Sequence, residues 1–146
     1  MKYRLLDDEA GLATYAVVMD EGDEALSELT RFARETGVDG ASLSGVGAAS
    51  SVVVGWFDLE TKTYVRNPIS EQVEVVSLLG DIATAPDGQP QVHAHMVVAK
   101  RDASAHGGHL MELHVKPTLE VVVTETATHL RKRAVPGMAL IDLNAG

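Results

Sequence analysis

Between Glu24 and Thr36 the apolar residues Ala25, Leu26, Leu29, Phe32 and Ala33 recur at the spacing of one helix face. The pattern predicts one main helix over about residues 23–36. Gly22 and Asp23 offer an N-terminal cap, and Glu21, Asp23 and Glu24 suit the positive end of the helix dipole. Gly37 is the expected stop. Elsewhere the pattern breaks into short β runs. Tyr3–Leu6 and Ala13–Met19 precede the helix. Ala41–Ala48 is rich in Ser and Gly, and Val52–Asp58 is apolar on both faces, the pattern of a buried strand. Tyr64 and Val65 form a short edge piece before a break at Pro68 and Ser70. Val73–Leu79 is apolar throughout, and its valines argue strand over helix. Ala85–Pro90 (APDGQP) is a loop by its turn chemistry. Val92–Ala99, Leu110–Val115 and Leu119–Thr124 are further strands, with one more at Leu130–Arg133. One helix among many short strands predicts an α+β fold: a mostly antiparallel twisted sheet packed on the helix, in a single domain over 1–146.

Composition narrows this. A chain of 146 residues suits one domain, and with 45% apolar but only 4% aromatic residues its core must be aliphatic. The absence of cysteine removes disulfides, thiolate metal sites and Cys nucleophiles, and suits a reducing compartment. The N-terminus lacks a signal-peptide core, and no apolar run reaches the ~20 residues that span a bilayer. The expectation is a cytoplasmic protein without membrane contact. The net charge of −9 argues against direct nucleic-acid binding, which draws on Lys and Arg neutralising phosphates. The basic runs Lys100-Arg101 and Arg131-Lys132-Arg133 read as solvated faces.

Histidine carries the candidate chemistry. Of the six, five lie within 93–114: His93, His95, His106, His109 and His114. His93 and His95 are two apart on an expected strand, so both side chains point to one face. A third imidazole would make a three-ligand site with an open fourth position, the arrangement of catalytic zinc. His109 is the best third ligand, for zinc or another divalent metal, with His106 and His114 in reserve. Register complicates the idea. A simple hairpin with 100–108 as its loop puts His109 opposite Ala99, roughly 13 Å along the strand from His95. Either the loop curls back or His109 comes from a neighbouring subunit. Glu112 and Glu120 are candidate acid/base groups or partners of the ligands, and Glu74 could pair with a histidine across the sheet. Gly107 and Gly108 would permit unusual backbone angles, close approach of a partner chain, or an anion cradle. Against all this stands a plainer reading, in which the histidines make hydrogen bonds inside a subunit interface. Ser44-Gly45-Val46-Gly47 lacks the Lys-Ser/Thr of a P-loop, Gly45–Ser50 is not a dinucleotide fingerprint, and no Ser elbow occurs. No motif names a substrate or reaction, so whether the chain is an enzyme is left open.

Residues 91–125 carry the string VHAHMVVAKRDASAHGGHL followed by VKPTLEVVVTE. Its elements are His93-Ala94-His95, Gly107-Gly108-His109-Leu110 and Pro117-Thr118-Leu119-Glu120-Val121. Upstream stand Ser44–Ala48, then Gly55-Trp56-Phe57-Asp58, then EVVSLLG at Glu74–Gly80. Together these resemble, in order and over nearly the whole chain, the PPC (plant and prokaryote conserved) domain, formerly a domain of unknown function. The resemblance implies a subunit that assembles into a homotrimer. In plants the domain follows an AT-hook and mediates protein–protein contact; this chain has no Arg-Gly-Arg-Pro. Bacterial and archaeal relatives usually consist of the domain alone and are often labelled DNA-binding by transfer. Two functions compete. One is a trimeric protein holding a divalent metal or small ligand through His93, His95 and His109. The other is a DNA-associated regulatory or assembly module acting through protein partners.

Overall fold

Two long strands organise the molecule, whose computed structural model describes residues 1–144. β3 (Gly40–Asp58) and β7 (Ala105–Glu125) run antiparallel along most of their length. The other edge of β3 takes β5 (Val73–Thr84) and then β4 (Thr63–Ile69). The other edge of β7 takes β6 (Pro90–Ala99) at its start and β2 (Thr14–Asp20) at its end. β5 also pairs with β6, so the pairings β3–β5–β6–β7–β3 close into a ring. β1 (Lys2–Asp7) extends the sheet beyond β2, and β8 (Lys132–Val135) with β9 (Met138–Ile141) forms a separate hairpin. All of these pairings are antiparallel. The expected α+β single domain with a mostly antiparallel sheet is what forms. No helix among the described residues is long and apolar enough to cross a membrane.

Helix α1 (Ala25–Thr36) buries Ala25, Leu29, Phe32 and Ala33 against the sheet, the stripe its spacing predicts. Its cap is Glu24 rather than Gly22 or Asp23: the Glu24 carboxylate accepts from the amides of Leu26 and Ser27. Asp23 is otherwise engaged, 2.6 Å from the N-terminal amine. Gly37 ends the helix at φ 76°, a left-handed conformation that glycine adopts without penalty. The core is aliphatic apart from Phe32: Leu29, Leu78, Ile82, Leu110, Leu113 and Leu119 are fully buried around it.

The strand boundaries differ in instructive ways. Ala41–Ala48 and Val52–Asp58 are halves of β3, and Leu110–Val115 and Leu119–Thr124 are halves of β7. Register shifts at 47–49 and 49–51 let the long pair bend. At Gly47 a Cβ would lie 2.4 Å from the Thr118 carbonyl oxygen, so the Ser/Gly-rich stretch serves close strand packing. β4 continues through Pro68 because it is an edge strand, where a missing N–H costs no ladder bond. Val52–Asp58 is not wholly buried: Trp56 is 62% exposed.

Candidate metal centre

Two tight turns set the geometry. Between β5 and β6 the amide of Ala85 donates to the Gln89 carbonyl at 2.8 Å, and Gly88 takes φ 81°. That turn fixes Asp81 opposite His93 and Leu79 opposite His95. Between β6 and β7 the turn occupies only 100–104: the Lys100 amide donates to the Ser104 carbonyl at 3.0 Å, and Asp102 accepts from the Ser104 amide at 2.9 Å. β7 therefore begins at Ala105, and His109 stands directly opposite His95. The expected hairpin, with 100–108 as its loop and His109 opposite Ala99, is incorrect; Ala99 pairs with Ala105. No curling loop or neighbouring subunit is required to bring the three histidines together. Cross-strand partners share a sheet face, so His93, His95 and His109 converge within one chain.

Each pair of the three rings has its centroids 5.3 Å apart. One nitrogen from each lies within 4.8 Å of the others. The His93 Nδ1 is 3.1 Å from Asp81 Oδ2, leaving Nε2 free to act as a ligand atom. Lys132 Nζ sits 2.9 Å from the other oxygen of Asp81, and Lys132 is only 6% exposed. Burial tends to raise the Asp81 pKa, but the contacts from His93 and Lys132 outweigh it and hold the carboxyl below its ordinary range. Burial, reinforced by His93, His95 and Lys132, pushes the His109 pKa down to about 4. Burial and the neighbouring His93 also lower that of His95. At neutral pH His95 and His109 are thus neutral, the form that binds metal. Tyr64 lies over His109 with centroids 4.7 Å apart, and the buried His109 Nδ1 has no hydrogen-bond partner.

Three imidazoles suit zinc and the neighbouring divalent transition metals. Tetrahedral Zn–N bonds of about 2.0–2.1 Å set nitrogens about 3.4 Å apart, so small side-chain rotations would close the cluster onto an ion. The rings form part of a cavity of about 390 Å³ whose walls include Phe57, Tyr64, Gln91, Val92 and Lys132, with 137–140 on the far side.

The other candidates lie elsewhere. Glu74 is exposed, opposite Ala99 at the end of the β5–β6 ladder away from Asp81. Glu112 forms an ion pair with Arg66, and His114 Nε2 is 4.0 Å from it. Glu120 is exposed between Val18 and Val46. His106 is exposed opposite Val98, and His129 pairs with Asp39 at 2.6 Å. Gly107 and Gly108 have neither positive φ nor a cradle shape; they are strand residues at crowded crossings. A Cβ on Gly108 would lie 2.6 Å from the Gly55 carbonyl oxygen, and one on Gly107 2.9 Å from that of Met96. The residues missing from the sequence reading are Asp81, Tyr64, Gln91 and Lys132. Asp81 could have been found by counting pairs outward from a turn centred near Asp87. The run at 131–133 reads as solvated for Arg131 and Arg133 but not for Lys132, which alternation turns inward.

Solved structures similar over nearly the whole chain include three from bacteria and archaea. One from Bacteroides thetaiotaomicron VPI-5482, described as a candidate DNA-binding protein, shares 26% identity at a TM-score of 0.87, covering 97% of this chain and 96% of its own. A plant- and prokaryote-conserved protein from Pyrococcus horikoshii shares 28% at 0.84, covering 97% and 94%. A metal-containing protein from Archaeoglobus fulgidus shares 26% at 0.79, covering 96% and 94%. Comparison with curated proteins finds no match. The family model of the Plants and Prokaryotes Conserved (PCC) domain matches residues 7–127, and the chain belongs to that family.

Proposed function

We propose that this protein holds zinc or another divalent metal at His93, His95 and His109, and that it works as a cytoplasmic homotrimer binding a small ligand at that centre. The observation that carries the reading is the convergence of three imidazole nitrogens within 4.8 Å on adjacent strands. Asp81 supports it by orienting His93 from behind, as carboxylates commonly do for metal-ligating histidines. The relative described as metal-containing supports it too. A bound cation would supply a Lewis acid with an open position facing the cavity. The protein's own residues would orient the ligand, exclude water and keep His95 and His109 neutral. The trimer is supported by the family resemblance and by an exposed apolar row on the outer sheet face. Val46, Val76 and Leu79 are 54–58% exposed there, next to Val18, Val97 and Val122. Elemental analysis tests the metal reading. One equivalent per chain is expected in the purified protein and a large loss in His95→Ala. No stoichiometric metal, with ligand binding indifferent to that substitution, would overturn it.

A second reading, a DNA-associated assembly module working through protein partners, draws on the description of the Bacteroides relative. The net charge of −9 argues against direct contact with DNA. A salt-titrated binding assay separates direct from indirect action: weak binding with a shallow salt slope is expected, and tight, steeply salt-dependent binding would contradict it.

A further inference from the structure

We infer that the C-terminal hairpin β8–β9 turns the three-histidine centre into a pocket for a small carboxylate with an apolar tail. The inference rests on the metal reading above and goes beyond it to the class of ligand. The hairpin lies outside the family-matched span 7–127 and is fixed at both ends. At its base the Thr84 amide donates to the Leu130 carbonyl at 2.8 Å, and the Asp142 amide to the Arg131 carbonyl at 2.8 Å. At its tip Gly137 presses on the β3–β4 turn, where a Cβ would lie 2.2 Å from the Lys62 carbonyl oxygen. A wall held in this way shapes a cavity rather than flapping over it.

The chemistry of the walls selects the ligand. Ala139 shares the hairpin face of inward-turned Lys132, and Met138 and Leu140 beside it also line the cavity, with Phe57, Tyr64 and Val92 among the residues on the other walls. The volume of about 390 Å³ is at the small end for ligand pockets. No acidic side chain is among the described lining residues, and Lys132 is balanced by Asp81 behind the rings. Imidazole ligands bring no negative charge, so a divalent cation leaves the pocket with uncompensated positive charge, which an anion would neutralise. A phosphate would need more donors than one already paired lysine supplies. A carboxylate needs only the cation and one polar neighbour, and Gln91 Oε1, buried without a partner, offers a contact to a hydroxyl or N–H on the same molecule.

The test uses the full-length protein loaded with Co²⁺, whose visible spectrum reports its ligands. Acetate, butanoate and hexanoate are titrated, with 1-butanol and butyramide as uncharged controls. The expected result is a spectral change with the acids alone, and an affinity rising roughly fourfold per methylene until the cavity is filled. Ala139→Phe, which narrows the cavity, should flatten that chain-length dependence while keeping the response to acetate. The wild-type series stands by itself if the variant does not fold. A normal cobalt spectrum that ignores carboxylates overturns the pocket but leaves the metal centre standing. Equal affinity for acetate and hexanoate also overturns it, since the cation alone would then do the binding. If no cobalt spectrum forms, the metal reading falls and the pocket with it.

Discussion

Asp81 contacts His93 with one oxygen and buried Lys132 with the other, so a single side chain links the outer sheet face to the C-terminal hairpin. Replacing it by Asn keeps the shape but weakens the pull on the His93 proton. Asp81→Asn is expected to lower metal affinity about 10- to 100-fold, measured by chelator competition. His109 gives a pH prediction. Its pKa falls from the ordinary 6.5 to about 4 in the folded protein, so between those values the unfolded chain binds the proton that the folded one refuses. The metal-free protein should therefore lose stability as pH drops from about 6.5 towards 4. Urea titrations of the metal-free protein would show this, with a shallower pH slope in His109→Gln. At this scale the sequence was partly legible. The His93–His95 pair needs only strand alternation. His109 needs the length of the 100–104 turn, which Ala103 shortens by taking φ 64°, an angle uncommon for a residue other than glycine.

Elements divide by whether their signals are local. The helix was legible because its stripe and its glycine stop lie within a dozen positions; only the cap moved, by one residue, to Glu24. The long strands were not. β3 and β7 read as two pieces each, because Ser50, Ser51, Lys116 and Pro117 interrupt the apolar alternation while the pairing continues through bulges. Gly108 marks the crowded crossing that seats His109: its Cβ position lies 2.6 Å from the Gly55 carbonyl oxygen, a backbone atom that cannot swing away. Gly108→Ala should therefore destabilise the fold by about 1–3 kcal/mol and loosen the centre at once. Denaturant midpoints and metal affinity would report the two effects separately, and Gly37→Ala at the helix stop, strained at φ 76°, would shift the midpoint alone.

The whole molecule places the histidines beside the apolar face. Leu79 is the cross-strand partner of His95, so a neighbour covering that face would come up to the rim of the centre. Val46→Glu, remote from the rings, should shift the assembly towards monomer in light scattering while leaving the three imidazoles in place. A wild-type mass of one chain would contradict the proposed trimer, and an unchanged mass in the variant would contradict this face as its interface. The charge of −9, spread over a molecule of this size, favours solubility and opposes contact with a nucleic-acid backbone. X-ray absorption at the zinc edge of the purified protein tests the account most directly. It predicts three imidazole nitrogens at about 2.0–2.1 Å with an oxygen donor completing the shell, and a changed shell in His95→Ala. A spectrum without imidazole scattering, or one that His95→Ala leaves untouched, would contradict it.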